Sequence, residues 1–295
     1  MKSSLQNWFQ AGAVVAIAVC WSVYGLAQQT QLNGLADQSN APVYLALGDS
    51  YPFGTACVTT PCPSPDTLLE VNNDNYWVGY PEYLQVLIDR PLVNAGCPGD
   101  TTTSFLTTNT EEGARCLEFK AAGLLHVGYT GVQMDFAEQY LASHDRVTLV
   151  TLQLGGPETN AFFTSCGGAS SCILAGLPAH EARMAANLET ILSRIRGAGY
   201  TGQLVYVEYP ARRYNTFIAQ VMAQIYADLA PVFGNYGVEM APVFDRFETA
   251  VQSYGGNSCA AGLLITLAGG ACNVHPTAAG HQLIASIIAE MVPGR

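Results

Sequence analysis

The sequence predicts an α/β fold with a central parallel sheet in a single domain, and three observations predict it. Short strand-like runs alternate with longer segments whose apolar residues recur at helical spacing, the pattern of strands paired in parallel through right-handed crossovers. Apolar residues make up 49% of the 295 residues and charged residues only 12%, a composition that can bury a large core and argues against disorder. No linker is long enough to divide the chain, and no repeat or low-complexity segment interrupts it.

The elements follow in order. Val43 to Leu47 is an apolar run read as a buried strand. Tyr76 to Ile88 has helical spacing, and Leu92-Val93-Asn94 is a short strand. Gly131 to Ser143 reads as the next helix and Val147 to Leu154 as a strand. Pro178 opens a long amphipathic helix through Ile195 that ends at Gly197. Leu204 to Val207 is a strand, Asn215 to Phe233 a helix, and Val238 to Met240 the last strand. Pro276 and Thr277 open a final helix through Leu283, Ile284, Ile287 and Met291.

Before these elements, Lys2 precedes an apolar stretch from Ala11 to Tyr24, then Gly25-Leu26-Ala27. This predicts a signal peptide over residues 1–27 with cleavage after Ala27. A retained anchor is the alternative, but the apolar core is shorter than the ~20 residues of a membrane span, so the mature chain is expected to hold no stable span. Val19 is too bulky for lipidation at Cys20. Residues 28–41 read as a flexible polar lead-in to a domain over 42–295.

Of nine cysteines, eight remain beyond Cys20, an even number suited to a secreted or periplasmic protein. They group locally as Cys57 with Cys62, Cys97 with Cys116, Cys166 with Cys172, and Cys259 with Cys272. All four bridges are expected in loops, where they would stiffen the face that carries the chemistry. No paired Cys-x-x-Cys supports zinc, and no metal or other cofactor is expected. The net charge of −11 with no basic patch excludes a nucleic-acid partner. The chain is expected to be a monomer acting on a small-molecule, lipid or acylated-sugar ester.

The chemistry is read from both ends of the domain. Leu47-Gly48-Asp49-Ser50-Tyr51 ends the first strand at the carboxyl edge of the sheet, where open α/β folds act. Asp49 can cap the following turn, which leaves Ser50 as a candidate nucleophile. The same tripeptide also makes ordinary turns. A candidate base lies in Asn273-Val274-His275-Pro276-Thr277, where His275 sits in a loop just ahead of a helix start. Tyr51, Phe53, Phe105, Phe162 and Phe163 each follow a motif block; Tyr51, Phe53 and Phe162 are the candidate substrate contacts, with plain aromatic packing as the alternative. His281 is expected to stabilise the last helix.

Gly-Asp-Ser-Tyr near the start, Asn94-Ala95-Gly96-Cys97-Pro98-Gly99, a strand ending in Leu154-Gly155-Gly156, and His275-Pro276-Thr277-Ala278-Ala279-Gly280-His281 together resemble the four blocks of the SGNH (GDSL-type) hydrolases. The resemblance implies a three-layer α/β/α, flavodoxin-like domain and serine ester hydrolysis. Ser50 would be the nucleophile, His275 the base, and the backbone N–H groups of Ser50 and Gly99 the oxyanion donors.

Two positions depart from that pattern. Pro157 stands where the family carries an Asn that donates to the oxyanion, and losing one such donor typically costs about 100- to 1000-fold. Asn160, three residues on, could reach in, while Glu158 could bring an antagonistic charge. The acid that orients the histidine is replaced by Cys272 or Asn273, with Asn273 able to hold the ring through its side-chain oxygen. An Asn there can fix the wrong imidazole tautomer, which in one serine protease costs about 10,000-fold. The sequence therefore predicts an exported ester hydrolase; the alternative is a catalytically impaired descendant that binds a ligand or glycan in the old cleft.

Overall fold

A computed structural model describes residues 41–55, 77–108 and 111–294. The expected leader, the lead-in up to Asn40, and the expected Cys57–Cys62 bridge lie outside the described residues.

Five strands form one parallel sheet: β1 (Val43–Gly48), β2 (Leu92–Asn94), β3 (Val147–Gln153), β4 (Gln203–Val207) and β5 (Val238–Ala241), in the spatial order β2-β1-β3-β4-β5. A second, antiparallel pair joins β6 (Leu264–Thr266) to β7 (Cys272–Pro276). The helices are α1 (Ser50–Phe53), α2 (Tyr80–Ile88), α3 (Thr102–Leu106), α4 (Ala114–Ala121), α5 (Gln133–Ser143), α6 (Gly156–Ser165), α7 (Ser170–Gly197), α8 (Phe217–Asn235), α9 (Val243–Val251) and α10 (Ala278–Met291).

The period-two alternation of the strands builds the layers. Val43, Leu45 and Leu47 of β1 face one core with Leu204 and Tyr206 of β4, covered by α5, α7 and α8. Tyr44 and Ala46 face the other with Val205 and Val207, covered by α2, α9 and α10. The result is the expected three-layer α/β/α sandwich, with the flavodoxin-like strand order that reverses direction between β1 and β3. That switch point lies beside Ser50. Helix α8 is apolar and long enough by composition to cross a membrane, yet its Val221, Ile225, Leu229 and Phe233 stripe packs into the first core.

Several expectations need correction. The long helix does not begin at Pro178; it begins at Ser170 and carries Pro178 inside it. Pro178 removes one helical bond, to the Leu174 carbonyl, at a position where Leu174 lies on the exposed face of the helix. Val238 to Met240 is not the last strand, because β6 and β7 follow. His275 accordingly sits on β7 rather than in a loop. Three bridges form, Cys97–Cys116, Cys166–Cys172 and Cys259–Cys272, but they are not confined to loops. Cys116 lies on α4, Cys172 on α7 and Cys272 on β7, so each bridge ties a loop or turn to a regular element.

Candidate active site

The turn after β1 is fixed before any side chain acts. Gly48 has φ 135°, and a Cβ there would lie 2.0 Å from the Gln153 carbonyl oxygen of β3, so no larger residue fits. Gln133 clamps the peptides on both sides of Gly48: Gly48 N–H donates to its Oε1 at 2.7 Å, and its Nε2 donates to the Gly48 carbonyl at 2.9 Å. Asp49 caps α1 by accepting from Tyr51 N–H at 3.0 Å. Ser50 is thereby held as the first residue of a single helical turn, with its hydroxyl free to face the next group.

That group is His275. Its Nε2 lies 2.9 Å from Ser50 Oγ, and its Nδ1 lies 2.9 Å from Asn273 Oδ1. The same Oδ1 accepts the backbone N–H of His275 at 3.0 Å. A backbone N–H can only donate, so it selects the oxygen of the amide for this position. The ring must then carry its proton on Nδ1, which leaves Nε2 as the acceptor facing Ser50. Three contacts hold this strand: the Cys259–Cys272 bridge, the pairing of β7 with β6, and Tyr51, whose hydroxyl donates to the Val274 carbonyl. Thr277 caps α10 by accepting from Gly280 N–H at 3.2 Å.

Gly99 enters from the loop after β2. Cys97 N–H donates to the Gly48 carbonyl at 2.9 Å, which brings this loop to the β1 edge. Gly99 has φ 79°, and a Cβ there would lie 2.7 Å from Arg115 Cβ, so the Arg115 stem covers it closely. On the third side Gly155, in the left-handed region at φ 105°, precedes α6. Pro157 occupies the second position of α6, where a missing N–H is tolerated but no side chain can donate. Glu158 does not bring its charge to the cavity: it is buried and accepts from Thr102 N–H at 2.9 Å. Asn160 lines the cavity wall.

Ser50, His275, Gly99 and Gly156 open onto a cavity of about 680 Å³. Phe163, Met184, Met222 and Ile225 form an apolar wall, and Arg115, Arg212 and Arg213 also line it. Of the candidate contacts, Tyr51 lines the cavity, while Phe53 and Phe162 do not. Phe53 packs 5.2 Å from both Trp77 and Phe119, and Phe162 stacks 4.7 Å from His180. Phe105 is buried in the first core, whereas Phe163 lines the cavity. Among the described residues no group of His, Cys, Asp and Glu is arranged to hold a metal ion.

The electrostatics are set by burial. Asp49 is pushed up to about 8 by burial, with repulsion from Glu158 and Asp100 added, against the pull of the Tyr209 phenol and the Tyr51 amide. Asp100 is pushed up to about 7 by burial, and Glu158 is raised by the same cause. Burial takes the His275 imidazole down to about 4, and no carboxylate contact offsets it. His281 is buried and lowered to about 3, by burial and then by His275; its ring stands 6.3 Å from Tyr51.

Tyr209 is the site residue that sequence reasoning missed. It follows β4, donates to Asp49 Oδ2 at 2.6 Å, and lays its ring where a Cβ on Gly156 would be, 2.6 Å away. The available signal was its place just past the carboxyl end of a core strand, the edge that also carries Ser50.

The GDSL-like lipase/acylhydrolase family description matches residues 46–283. No curated protein matches the chain. Among solved structures, a phospholipase A1 from Streptomyces albidoflavus superimposes with a TM-score of 0.53 at 16% identity, over 85% of this chain and 98% of its own. An acetylxylan esterase from Geobacillus stearothermophilus gives 0.52 at 12% identity, over 86% and 95%. At such identities these likenesses speak to the fold.

Proposed function

The chain belongs to the GDSL-like lipase/acylhydrolase family, and from that premise we propose that it is an exported carboxylic-ester hydrolase using Ser50 as nucleophile and His275 as base. The observation that carries the proposal is the unbroken relay from Ser50 Oγ to His275 Nε2 and from Nδ1 to Asn273 Oδ1, each at 2.9 Å.

Nε2 takes the hydroxyl proton as Oγ attacks the ester carbonyl, so the serine never has to ionise unaided. The oxyanion of the tetrahedral intermediate accepts from the Ser50 and Gly99 amides. The imidazolium then returns its proton to the departing alkoxide, leaving an acyl-serine. Water, deprotonated by the same Nε2, attacks the acyl-serine and regenerates Ser50. The apolar wall of Phe163, Met184, Met222 and Ile225 supports an acyl chain longer than acetyl.

The non-catalytic alternative rested on Asn273 and Pro157. Asn273 faces the ring with its oxygen, so the replacement costs charge rather than tautomer, and the alternative is not favoured. A fluorophosphonate probe and p-nitrophenyl esters of graded acyl length, tried beside Ser50→Ala, test the reading. Labelling and turnover that both vanish in Ser50→Ala are expected; the absence of labelling, with turnover no different from the variant, overturns it.

A further inference from the structure

The charge on the cavity wall runs against the rest of the chain. Arg and Lys total 12 against 23 Asp and Glu, yet three arginines line this one cavity. The acidic side chain that lines it, Asp49, is fully buried and already accepts from Tyr51 N–H and Tyr209 OH.

The arginines differ in what they already hold. Arg115 Nη1 contacts Glu118 at 3.1 Å, and its guanidinium stands 5.5 Å from the Phe119 ring centre. Arg212 and Arg213 are exposed, and among the described residues neither forms an ion pair. Their backbone is nonetheless fastened along its length. Ser258 Oγ donates to the Ala211 carbonyl at 2.6 Å and Ser258 N–H to the Arg212 carbonyl at 3.1 Å. Arg213 bridges Asn257, and Tyr214 N–H donates to the Gly256 carbonyl at 2.9 Å. Two consecutive arginines on a fixed backbone, both lining the cavity, lose less freedom when they take up an anion than the same residues on a mobile loop. Their planar donor sets suit a compact oxyanion. The same cavity offers the apolar wall formed by Phe163, Met184, Met222 and Ile225.

We propose that the cavity is a site for an anionic amphiphile, with an acyl or alkyl chain on the apolar wall and a phosphate or carboxylate on Arg212 and Arg213. The proposal rests on the ester-hydrolase reading only in placing the scissile bond at Ser50, between the two halves. The arginine pair is then the specificity determinant: it selects esters whose alcohol portion carries a negative charge over neutral esters with the same acyl chain.

Calorimetric titration of the full chain carrying Ser50→Ala tests binding without turnover. Decyl phosphate, decanoate and decyl glucoside are compared at low and moderate salt, then again with Arg212→Gln and Arg213→Gln added. One or both anions should bind about tenfold more tightly than the glucoside at low salt, the advantage shrinking as salt rises. The double replacement should bring the anion-to-glucoside ratio close to one. Tighter binding of decyl phosphate identifies a phosphate head as the preferred source, and tighter binding of decanoate a carboxylate. Equal affinity for all three ligands, or an anion advantage that survives the double replacement, overturns the proposal. Because the readout is binding, a failure of ester hydrolysis would refute the proposed function and leave this result interpretable.

Discussion

Asn273 shows how a neutral residue can replace half of what a carboxylate does. Its Oδ1 accepts from both the backbone N–H and the ring Nδ1 of His275, so orientation and tautomer are secured. What the amide lacks is negative charge to stabilise the imidazolium. Asn273→Asp should therefore raise the His275 pKa by at least about 1 unit and increase turnover about tenfold, measured as kcat and the acid limb of the pH profile. If neither moves, the neutral orienter is not limiting. In the native chain His275, the proposed base, is held down to about 4 by burial. It must be neutral to accept a proton, so kcat/KM should hold its plateau down to about pH 5 and halve near 4. An acid limb at 6.5 would contradict that burial effect. Pro157→Asn asks a separate question. A donor reaching only the developing oxyanion should raise kcat by up to about 100-fold with little change in KM. An unchanged kcat would mean that the two backbone amides already suffice.

Among the elements, β7 bears the proposed base on little buried surface: of its five residues Pro276 alone is buried, and the strand pairs with β6. The Cys259–Cys272 bridge closes a 13-residue separation at its start, and Tyr51 grips Val274 from the turn that carries Ser50. Replacing both cysteines by Ala should cost about 3 kcal/mol of stability, read by chemical denaturation, and lower kcat more than KM because the relay loosens while the cavity wall stays. A loss confined to stability would show that strand pairing and Tyr51 position His275 unaided. The same contrast explains what the sequence made legible. The core strands could be read because their apolar residues alternate or run unbroken, and the Ser50 and His275 candidates because one follows such a run and the other precedes a helix start, whereas Gly99 came only from the family resemblance. β6 and β7 could not: Cys272-Asn273-Val274-His275-Pro276 has no apolar run, and the pair is defined by its antiparallel partner and a disulfide. Helix α7 was misread at its start because Pro178 imitates a first-turn proline. Tyr209, Arg212 and Arg213 carry no motif; only the strand order that sets β4 beside β3 brings them to the serine.

At the scale of the whole molecule, the buried titratable groups set opposing slopes of stability with pH. Asp49 at about 8, Asp100 at about 7 and Glu208 at about 7, all raised mainly by burial, hold protons that the unfolded chain releases near pH 4. Groups raised in this way contribute stability that is complete below the unfolded value and is lost as pH climbs toward the folded one. Glu158 and Glu82, also raised mainly by burial, act in the same direction. His180, His275 and His281, at about 4, about 4 and about 3, act in the opposite sense: the unfolded chain binds protons below about 6.5 that the folded chain refuses. Between about pH 4.5 and 6.5 the raised carboxyls therefore outnumber the three imidazoles that oppose them, and above 6.5 the carboxyls act alone. The thermal midpoint should peak near pH 4 to 5 and fall steadily to pH 8, a range in which the net charge of −11 adds self-repulsion. Asp49→Asn, which mimics the protonated carboxyl, should flatten part of the decline. Calorimetry from pH 4 to 8 decides the matter, and a midpoint that rises over that range would show that these carboxyls are ionised in the fold.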